Sequence, residues 1–412
     1  MLTRRENYTD HLLRGISEAL DIPPGKYEQA VKRYESVGKH IDSGTYPGIT
    51  GEPSCYCQGS FRLGTVIRPI KEGKESDYDI DLVAQLPQTK DNIQPGELKQ
   101  RIGDRLKEDA RYKAMLHDEG KRCWTIQYAE EDGIGFHLDV LPAIPEDAEK
   151  RTRLIGLFVP EYIGNTAIAI THKERTHGYQ WKSSNPGGFA IWFQDVNHVG
   201  FEKVQFSERA LIQEKYADIY ARVEDVPDLV IRTPLQRVIQ LLKRYRDIRF
   251  ANHPQERDKP ISMIITTIAA KAYESNPAET LYETIMYILK TLRQPGYGGL
   301  IKKENGEWYI PNPVNPEENF ADKWHKNADR KANAFFMWLD WLEQDIRQLV
   351  NEQNIKKAGL LLSPLFGERV VNASLTGFEN RFGNVTQEIV TRPQVVIKDT
   401  APSPWRNNAN PR

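Results

Sequence analysis

The sequence predicts an α+β protein in which a mixed-sheet lobe with an N-terminal helical brace precedes a helical lobe. Three observations carry this expectation. β-like runs cluster between residues 55 and 141, helical spacing dominates from about residue 234, and 412 residues exceed the usual single core. The expected divisions are 1–228 for the mixed lobe, 229–390 for the helical lobe and 391–412 for a loosely held, proline-containing tail.

Tyr8, Leu12, Ile16 and Leu20 share one face of a first helix. Tyr27, Val31, Tyr34 and Ile41 share one face of a second, which follows Pro23-Pro24-Gly25, and together the two helices are expected to brace a sheet. Strands are expected over 55–58, 80–84, 122–128 and 136–141, with a helix carrying Leu98, Ile102 and Leu106 between the second and third. After Ser183-Ser184-Asn185-Pro186-Gly187-Gly188 the pattern turns helical. Thr233-Pro234 forms a cap and first-turn pair, and Leu235, Val238, Ile239, Leu242 and Tyr245 form an apolar stripe. Further helices are expected over 261–274, 281–292 and 320–350, with 311–316 extended because residues before proline avoid the helical region. Trp324, Phe335, Phe336, Trp338 and Trp341 then read as core between helices.

Lys plus Arg number 56 against 57 Asp plus Glu, so the formal charge is -1 and the basic excess of a protein gripping long nucleic acid is missing. Small nucleotides fit this balance better than polymers. Three cysteines, Cys55, Cys57 and Cys123, make a poor disulfide framework and fit a reducing cytoplasm. Cys55 and Cys57 fall on one side of a strand without companion ligands, so packing beside the sheet is their expected role. No stretch supplies the ~20 apolar residues of a membrane span, and Met1 to Asn7 carries no secretory signal. A soluble, unprocessed, cytoplasmic protein is therefore expected. The chain holds no Walker A, HExxH, GxSxG or paired CxxC pattern, which removes the commonest rival chemistries.

The chemistry concentrates in three fragments: Gln58-Gly59-Ser60, Asp79-Ile80-Asp81 and Asp139 within His137-Leu138-Asp139-Val140. Alternation along a strand projects Asp79 and Asp81 together while Ile80 and Leu82 bury, and it puts His137, Asp139 and Leu141 on one face. Three carboxylates plus nucleotide phosphates suit two magnesium ions, and a glycine after a short strand lets N–H groups and the Ser60 hydroxyl approach a triphosphate. Each fragment alone reads more readily as a turn, a solvated edge strand or a cap. Their order, each attached to a β-like run, favours one active site. Asp79, Asp81 and Asp139 are its expected catalytic and metal-binding residues, with Gln58, Gly59 and Ser60 at the nucleotide. His137 is expected to pack or hydrogen-bond, since metal ions already supply the deprotonation a base would offer.

The run Gln58-Gly59-Ser60-Phe61-Arg62-Leu63-Gly64-Thr65, then Asp77-Tyr78-Asp79-Ile80-Asp81-Leu82-Val83, then Leu138-Asp139-Val140, resembles the cGAS/DncV-like nucleotidyltransferases of bacterial antiphage signalling. These belong to the polymerase β superfamily. The resemblance implies a polymerase β-like nucleotidyltransferase lobe, two Mg2+ ions or Mn2+ in their place, and NTP substrates with ATP among them. It implies template-independent synthesis of a cyclic di- or trinucleotide second messenger, a downstream effector that answers to the product, and regulatory protein partners. Neither long nucleic acid nor membrane is implied.

The resemblance extends into the helical half. Leu241-Leu242-Lys243-Arg244-Tyr245-Arg246-Asp247 and Lys259-Pro260-Ile261-Ser262 are similar to the family's two phosphate-holding segments, which makes Lys243 and Ser262 the matching positions. A helix start at Ser262 suits an anion physically. Trp181 to Ala190 is similar to the stretch that touches a nucleobase edge, so Ser184 and Asn185 become candidates for base choice. The competing roles are a solvated lysine in a basic cluster with Arg237, Arg244 and Arg246, an N-cap at Ser262, and a Ser-Asn-Pro-Gly turn that needs no ligand. Two other functions share part of this pattern. An RNA-tailing nucleotidyltransferase keeps the chemistry but meets the balanced charge as an objection, and a non-catalytic nucleotide sensor has no need of all three carboxylates.

Overall fold

The computed structural model describes residues 2–382 apart from 72 and 132, so the expected tail at 391–412 lies outside the described residues. Six strands form the main sheet: β1 Ser54–Gln58, β2 Tyr78–Gln85, β3 Trp124–Glu131, β4 Ile134–Pro145, β5 Ile168–Glu174 and β6 Gly178–Ser184. Their order is β1-β2-β4-β5-β6, with β3 also paired to β4. β2 and β4 run parallel and every other pairing in this sheet is antiparallel, so the sheet is mixed. The four expected strands are all present and longer than expected, while β5 and β6 extend the sheet beyond them.

Strand alternation divides the sheet into two chemically distinct faces. Ile80, Leu82, Ile126, Leu138 and Val140 are buried on one, in a core completed by Val37 and Ile41 of helix Pro24–Asp42 and by Leu98, Ile102 and Leu106 of helix Pro95–Glu108. The other face carries the acids and then an apolar floor of Val83, Leu141, Ala143, Ile168 and Ile170. Cys55 and Cys57 are half-buried beside the first core, as packing residues should be, and burial pushes the Cys57 thiol up to about 12.

A second core surrounds helix Pro234–Phe250. Leu235, Val238, Ile239, Leu242 and Tyr245 are all buried there, each aliphatic side chain contributing about 1.5–3 kcal/mol by leaving water. Thr233 caps this helix reciprocally: its hydroxyl accepts from the Gln236 N–H at 3.2 Å, while Gln236 Oε1 accepts from the Thr233 N–H at 2.9 Å. Helices Ser262–Ser275, Leu281–Leu292 and Ile355–Phe366 pack around it.

Helix Arg4–Ala19 also packs here, beside helix Glu368–Phe382, with Leu12, Leu13 and Ile16 in the helical core. Only the second N-terminal helix braces the sheet. A boundary at 228 therefore does not separate the two cores, because the chain's first helix returns to its last. The helix expected from residue 320 starts only at Arg330, after Asn327, Ala328 and Asp329 take left-handed φ values of 53, 56 and 59°. Trp324, Phe335 and Trp338 are core, as expected, with the Trp324 and Phe335 rings 5.0 Å apart. Pro311–Asn312 and Asn315–Asn319 pair as an extended antiparallel ribbon. Among the described residues no helix is long and apolar enough to cross a membrane.

Candidate active site

The register of three neighbouring strands assembles the acids. Asp79 lies opposite His137, and Asp81 lies between Gln58 of β1 and Asp139 of β4. All three acids share the sheet face left open by the apolar packing behind it. Thr125 of β3, opposite Asp139, donates from Oγ1 to Asp139 Oδ1 at 2.5 Å and fixes that carboxylate. His137 places Nδ1 3.5 Å from Asp79 Oδ1 and Nε2 3.6 Å from Asp77 Oδ2. The ring thus packs between two carboxylates, outside hydrogen-bond geometry to either.

β1 ends at Gln58, and Gly59 turns the chain directly beneath Asp81. Its φ is +66°, and a Cβ at this position would overlap the Asp81 carboxylate. Only glycine satisfies both constraints. The turn continues as the short helix Gly59–Arg62, which puts Gln58, Gly59 and Ser60 beside the acids.

Helix Pro234–Phe250 supplies the facing wall. Lys243 is only 4 % exposed, which removes the solvated-lysine alternative, and its Nζ donates to Thr65 O and Thr65 Oγ1, both at 3.1 Å. Gln236 Nε2 donates to Leu63 O at 2.8 Å and Gln240 Nε2 to Val66 O at 3.1 Å. These glutamines were not among the expected site residues. Their signal was the spacing 236, 240, 243, which sets three hydrogen-bond donors along one face of the helix. The rest of the supposed basic cluster disperses around the helix: Arg237 pairs with Glu208, Arg244 with Glu75, and Arg246 with Asp247. Arg246 Nη1 also donates to Ser262 Oγ at 2.9 Å. Ser262 is the first residue of its helix, Ile261 is the cap residue, and the serine hydroxyl is held by arginine rather than by its own helix.

Charge is unbalanced on both sides of this cleft. Burial, followed by the Asp139 and Asp79 charges, pushes the Asp81 carboxyl up from 3.8 to about 7. Burial and then Arg246 drive the Lys243 ammonium down from 10.5 to about 7. Lys243 and Asp81 act on each other as counter-charges, and Asp247 adds to the field at the lysine, but neither has an ion pair among the described residues. Among the described residues no three Asp, Glu, His or Cys side chains converge tightly enough to enclose an ion on their own. Such an open acidic face fits magnesium, which keeps several non-protein oxygens and takes phosphate as a ligand. The donor set therefore suits a divalent metal arriving with nucleotide.

Ser184 shares the face of the acids but lies across the apolar floor, paired with Ile168, which is itself level with Pro145. Asn185 does something else. Its Oδ1 accepts from the Gly188 N–H at 2.9 Å and from Thr166 Oγ1 at 2.8 Å, and its Nδ2 donates to Ile163 O at 2.9 Å. At 3 % exposure it is the cap of helix Pro186–Lys215. The expectation that Asn185 reads a base is corrected accordingly: the side chain is buried and three of its four possible hydrogen bonds are made within the fold. A cavity of about 1220 Å³ lies elsewhere, among Glu6, Lys203, Glu283, Arg293 and Arg347, and is lined by none of Asp79, Asp81 and Asp139.

A mixed sheet presenting three acids beside a Gly-Ser turn, faced by a helix carrying a buried lysine, defines a nucleotidyltransferase. Residues 53–142 match the family model described as cyclic GMP-AMP synthase DncV-like, nucleotidyltransferase domain. The chain is 28 % identical over 360 residues to a c-di-GMP synthase of Roseivirga ehrenbergii, covering 86 % of this chain and 83 % of that protein. It is 24 % identical over 389 residues to the cyclic dinucleotide synthase CdnG of Bradyrhizobium diazoefficiens, covering 92 % and 85 %. The solved structure of that CdnG in complex with GTP superposes with a TM-score of 0.63 at 22 % identity, over 90 % of this chain and 99 % of that one. The chain is similar to the cGAS/DncV-like nucleotidyltransferases over most of its length and shares their polymerase β-like fold.

Proposed function

We propose that the protein joins NTPs, without a template, into a cyclic dinucleotide second messenger. Each step is an attack of a ribose hydroxyl on an α-phosphate: a P–O ester bond forms, the α–β anhydride bond breaks, and pyrophosphate leaves. The observation that carries this reading is the register that sets Asp79, Asp81 and Asp139 on one sheet face, with Asp81 against the Gly59 turn and the buried Lys243 on the helix that holds the segment after that turn. Asp79, Asp81 and Asp139 would hold two magnesium ions, with manganese able to replace them. When bound, such ions activate the attacking hydroxyl and neutralise the leaving pyrophosphate.

The chain's own groups do the rest. Gly59 and Ser60 present N–H groups and a hydroxyl to the phosphates, and Lys243 supplies a desolvated cation. Arg246 orients the Ser262 hydroxyl toward the same task. Thr125 holds Asp139 in its rotamer, and His137 lies beside Asp79. Ser184, on the sheet face of the acids but beyond a buried apolar cluster, is the candidate for contact with a base. The names of the relatives support a dinucleotide over a trinucleotide and support GTP as a substrate beside ATP. The same reading places the protein in the cytoplasm and in antiphage signalling, with an effector that binds the product and with regulatory protein partners.

Incubation with all four NTPs and magnesium, followed by mass spectrometry, tests the proposal. A phosphatase-resistant cyclic dinucleotide is expected, lost together with pyrophosphate release when Asp79→Ala and Asp81→Ala are combined in a protein that still folds. Activity retained in that double variant sinks the assignment of the acids. Lengthening of added RNA in place of a small product replaces cyclisation with tailing.

A further inference from the structure

Between the Gly-Ser turn and the acid-bearing strand runs the segment 63–66, which turns at Leu63 and Gly64 and which no part of the proposed chemistry uses. Helix Pro234–Phe250 nevertheless holds it with a row of side-chain donors: Gln236 on Leu63 O, Lys243 on Thr65 O, and Gln240 on Val66 O. Gly64 sits under this row at φ +65°, where a Cβ would run into the Gln236 amide. A connector needing only solubility would not be secured so closely.

Thr65 is the centre of the arrangement. It is completely buried, and its N–H donates to Ser60 O at 2.9 Å. Its carbonyl and hydroxyl oxygens both accept from Lys243 Nζ, and among the described residues they are the only hydrogen-bond acceptors of that ammonium. One residue thus touches the Gly-Ser turn with its donor and the facing lysine with its two acceptors. A lysine stem has four rotatable bonds and loses much freedom when fixed, whereas a β-branched threonine is already stiff at χ1. Two of the three ammonium N–H groups are anchored in this way, which leaves the third for a ligand.

We propose that Thr65 is a positioning residue that registers Lys243 against Ser60, so that the two sides of the triphosphate site stay at a fixed separation. The proposal rests on Lys243 being a phosphate ligand. Thr65 does not touch the nucleotide itself. Its hydroxyl sets where the lysine points, and its N–H sets the turn to which the lysine must answer.

The test is a double-mutant cycle in the full-length protein with magnesium and a nonhydrolysable GTP or ATP analogue, read by calorimetry. Thr65→Val keeps the shape and deletes the hydroxyl, so analogue binding is expected to weaken by about tenfold or more, as for loss of a hydrogen bond to a charged group. Thr65→Ser should stay within about twofold, because its hydroxyl is retained. On a Lys243→Met background, Thr65→Val should have almost no further effect, an outcome that a purely structural role does not produce. Thermal melts check folding, and Thr65→Ala repeats the cycle where valine is not tolerated. If Lys243→Met weakens binding and Thr65→Val does not, the positioning role is overturned. The same holds if Thr65→Val is equally damaging in both backgrounds. If Lys243→Met itself leaves affinity unchanged, the phosphate role of Lys243 fails first and the positioning role falls with it.

Discussion

Replacing Asp81 by asparagine should make the metal-free protein more stable while destroying its activity. Burial and two neighbouring carboxylates raise the Asp81 pKa from 3.8 to about 7, so the native state holds this proton more tightly than the unfolded chain does. Stability is consequently lost as pH rises through the interval from about 4 to about 7. At about 1.4 kcal/mol per pH unit the full penalty at pH 8 is roughly 4 kcal/mol, and the incomplete burial of Asp81 reduces it to about 2–4 kcal/mol. Asparagine keeps the shape and carries no charge. With an unfolding entropy of about 2 cal/mol/K per residue, the expected rise in Tm is about 2–5 °C at pH 8 in EDTA. Integrating the same linkage to pH 5 leaves less than half of the gap, because wild-type Asp81 is protonated there. Scanning calorimetry at the two pH values, with EDTA and then with magnesium and a nonhydrolysable NTP, measures all of this. Metal and nucleotide should reverse the order by stabilising only the wild type. An Asp81→Asn variant that melts no higher than wild type at pH 8, or a gap indifferent to pH, refutes the electrostatic account of the site.

Lys243 has the opposite sign. Its pKa is driven from 10.5 down to about 7, so the unfolded chain binds more protons across that range and stability rises with pH. Lys243→Met should therefore melt above wild type at pH 7 and approach it near pH 10, while losing nucleotide affinity in a titration. Gly59→Ala forces a Cβ into the Asp81 carboxylate at positive φ, and both magnesium-dependent activity and melting temperature should fall. Asn185→Ala removes a helix cap and should cost about 1 kcal/mol in denaturant melts while leaving the base composition of the product unchanged. An altered base composition would return Asn185 to the nucleotide site.

The acids were legible in the sequence because strand alternation is a local rule. Asp79, Asp81 and Asp139 each sit in a run whose alternate residues are apolar, and parallel register then brings Asp81 level with Asp139. The stripe of helix Pro234–Phe250 was legible for the same reason. What sequence spacing does not encode is what lies opposite. Arg237, Arg244 and Arg246 look like one basic patch in the chain, yet a 100° turn per residue sends them to three separate partners. Asn185 offered donors and acceptors on paper, and only the approach of Thr166 and Ile163 reveals that they are taken. The first helix shows an apolar face without naming its partner, which turns out to be the other end of the chain.

The two displaced pKa values bear on the order in which ligands bind. A metal ion alone relieves Asp81 but adds positive charge near a lysine that is already crowded by Arg246. A nucleotide alone satisfies Lys243 but sets its phosphates against three carboxylates. Two divalent cations and an NTP carrying four negative charges are neutral together and answer both imbalances at once. Metal and nucleotide should therefore bind with positive coupling, by a factor of about 10 to 100, corresponding to roughly 1.4–2.7 kcal/mol. Calorimetric titration of a nonhydrolysable NTP with saturating magnesium and again in EDTA measures the factor, and linkage requires that the nucleotide tighten magnesium equally. Asp81→Asn should shrink the coupling, since it removes one of the charges that makes the nucleotide unwelcome alone. Equal nucleotide affinity with and without metal would mean that the acids and Lys243 do not share a ligand, and the cleft between the sheet and the helix would lose its claim to be the catalytic site.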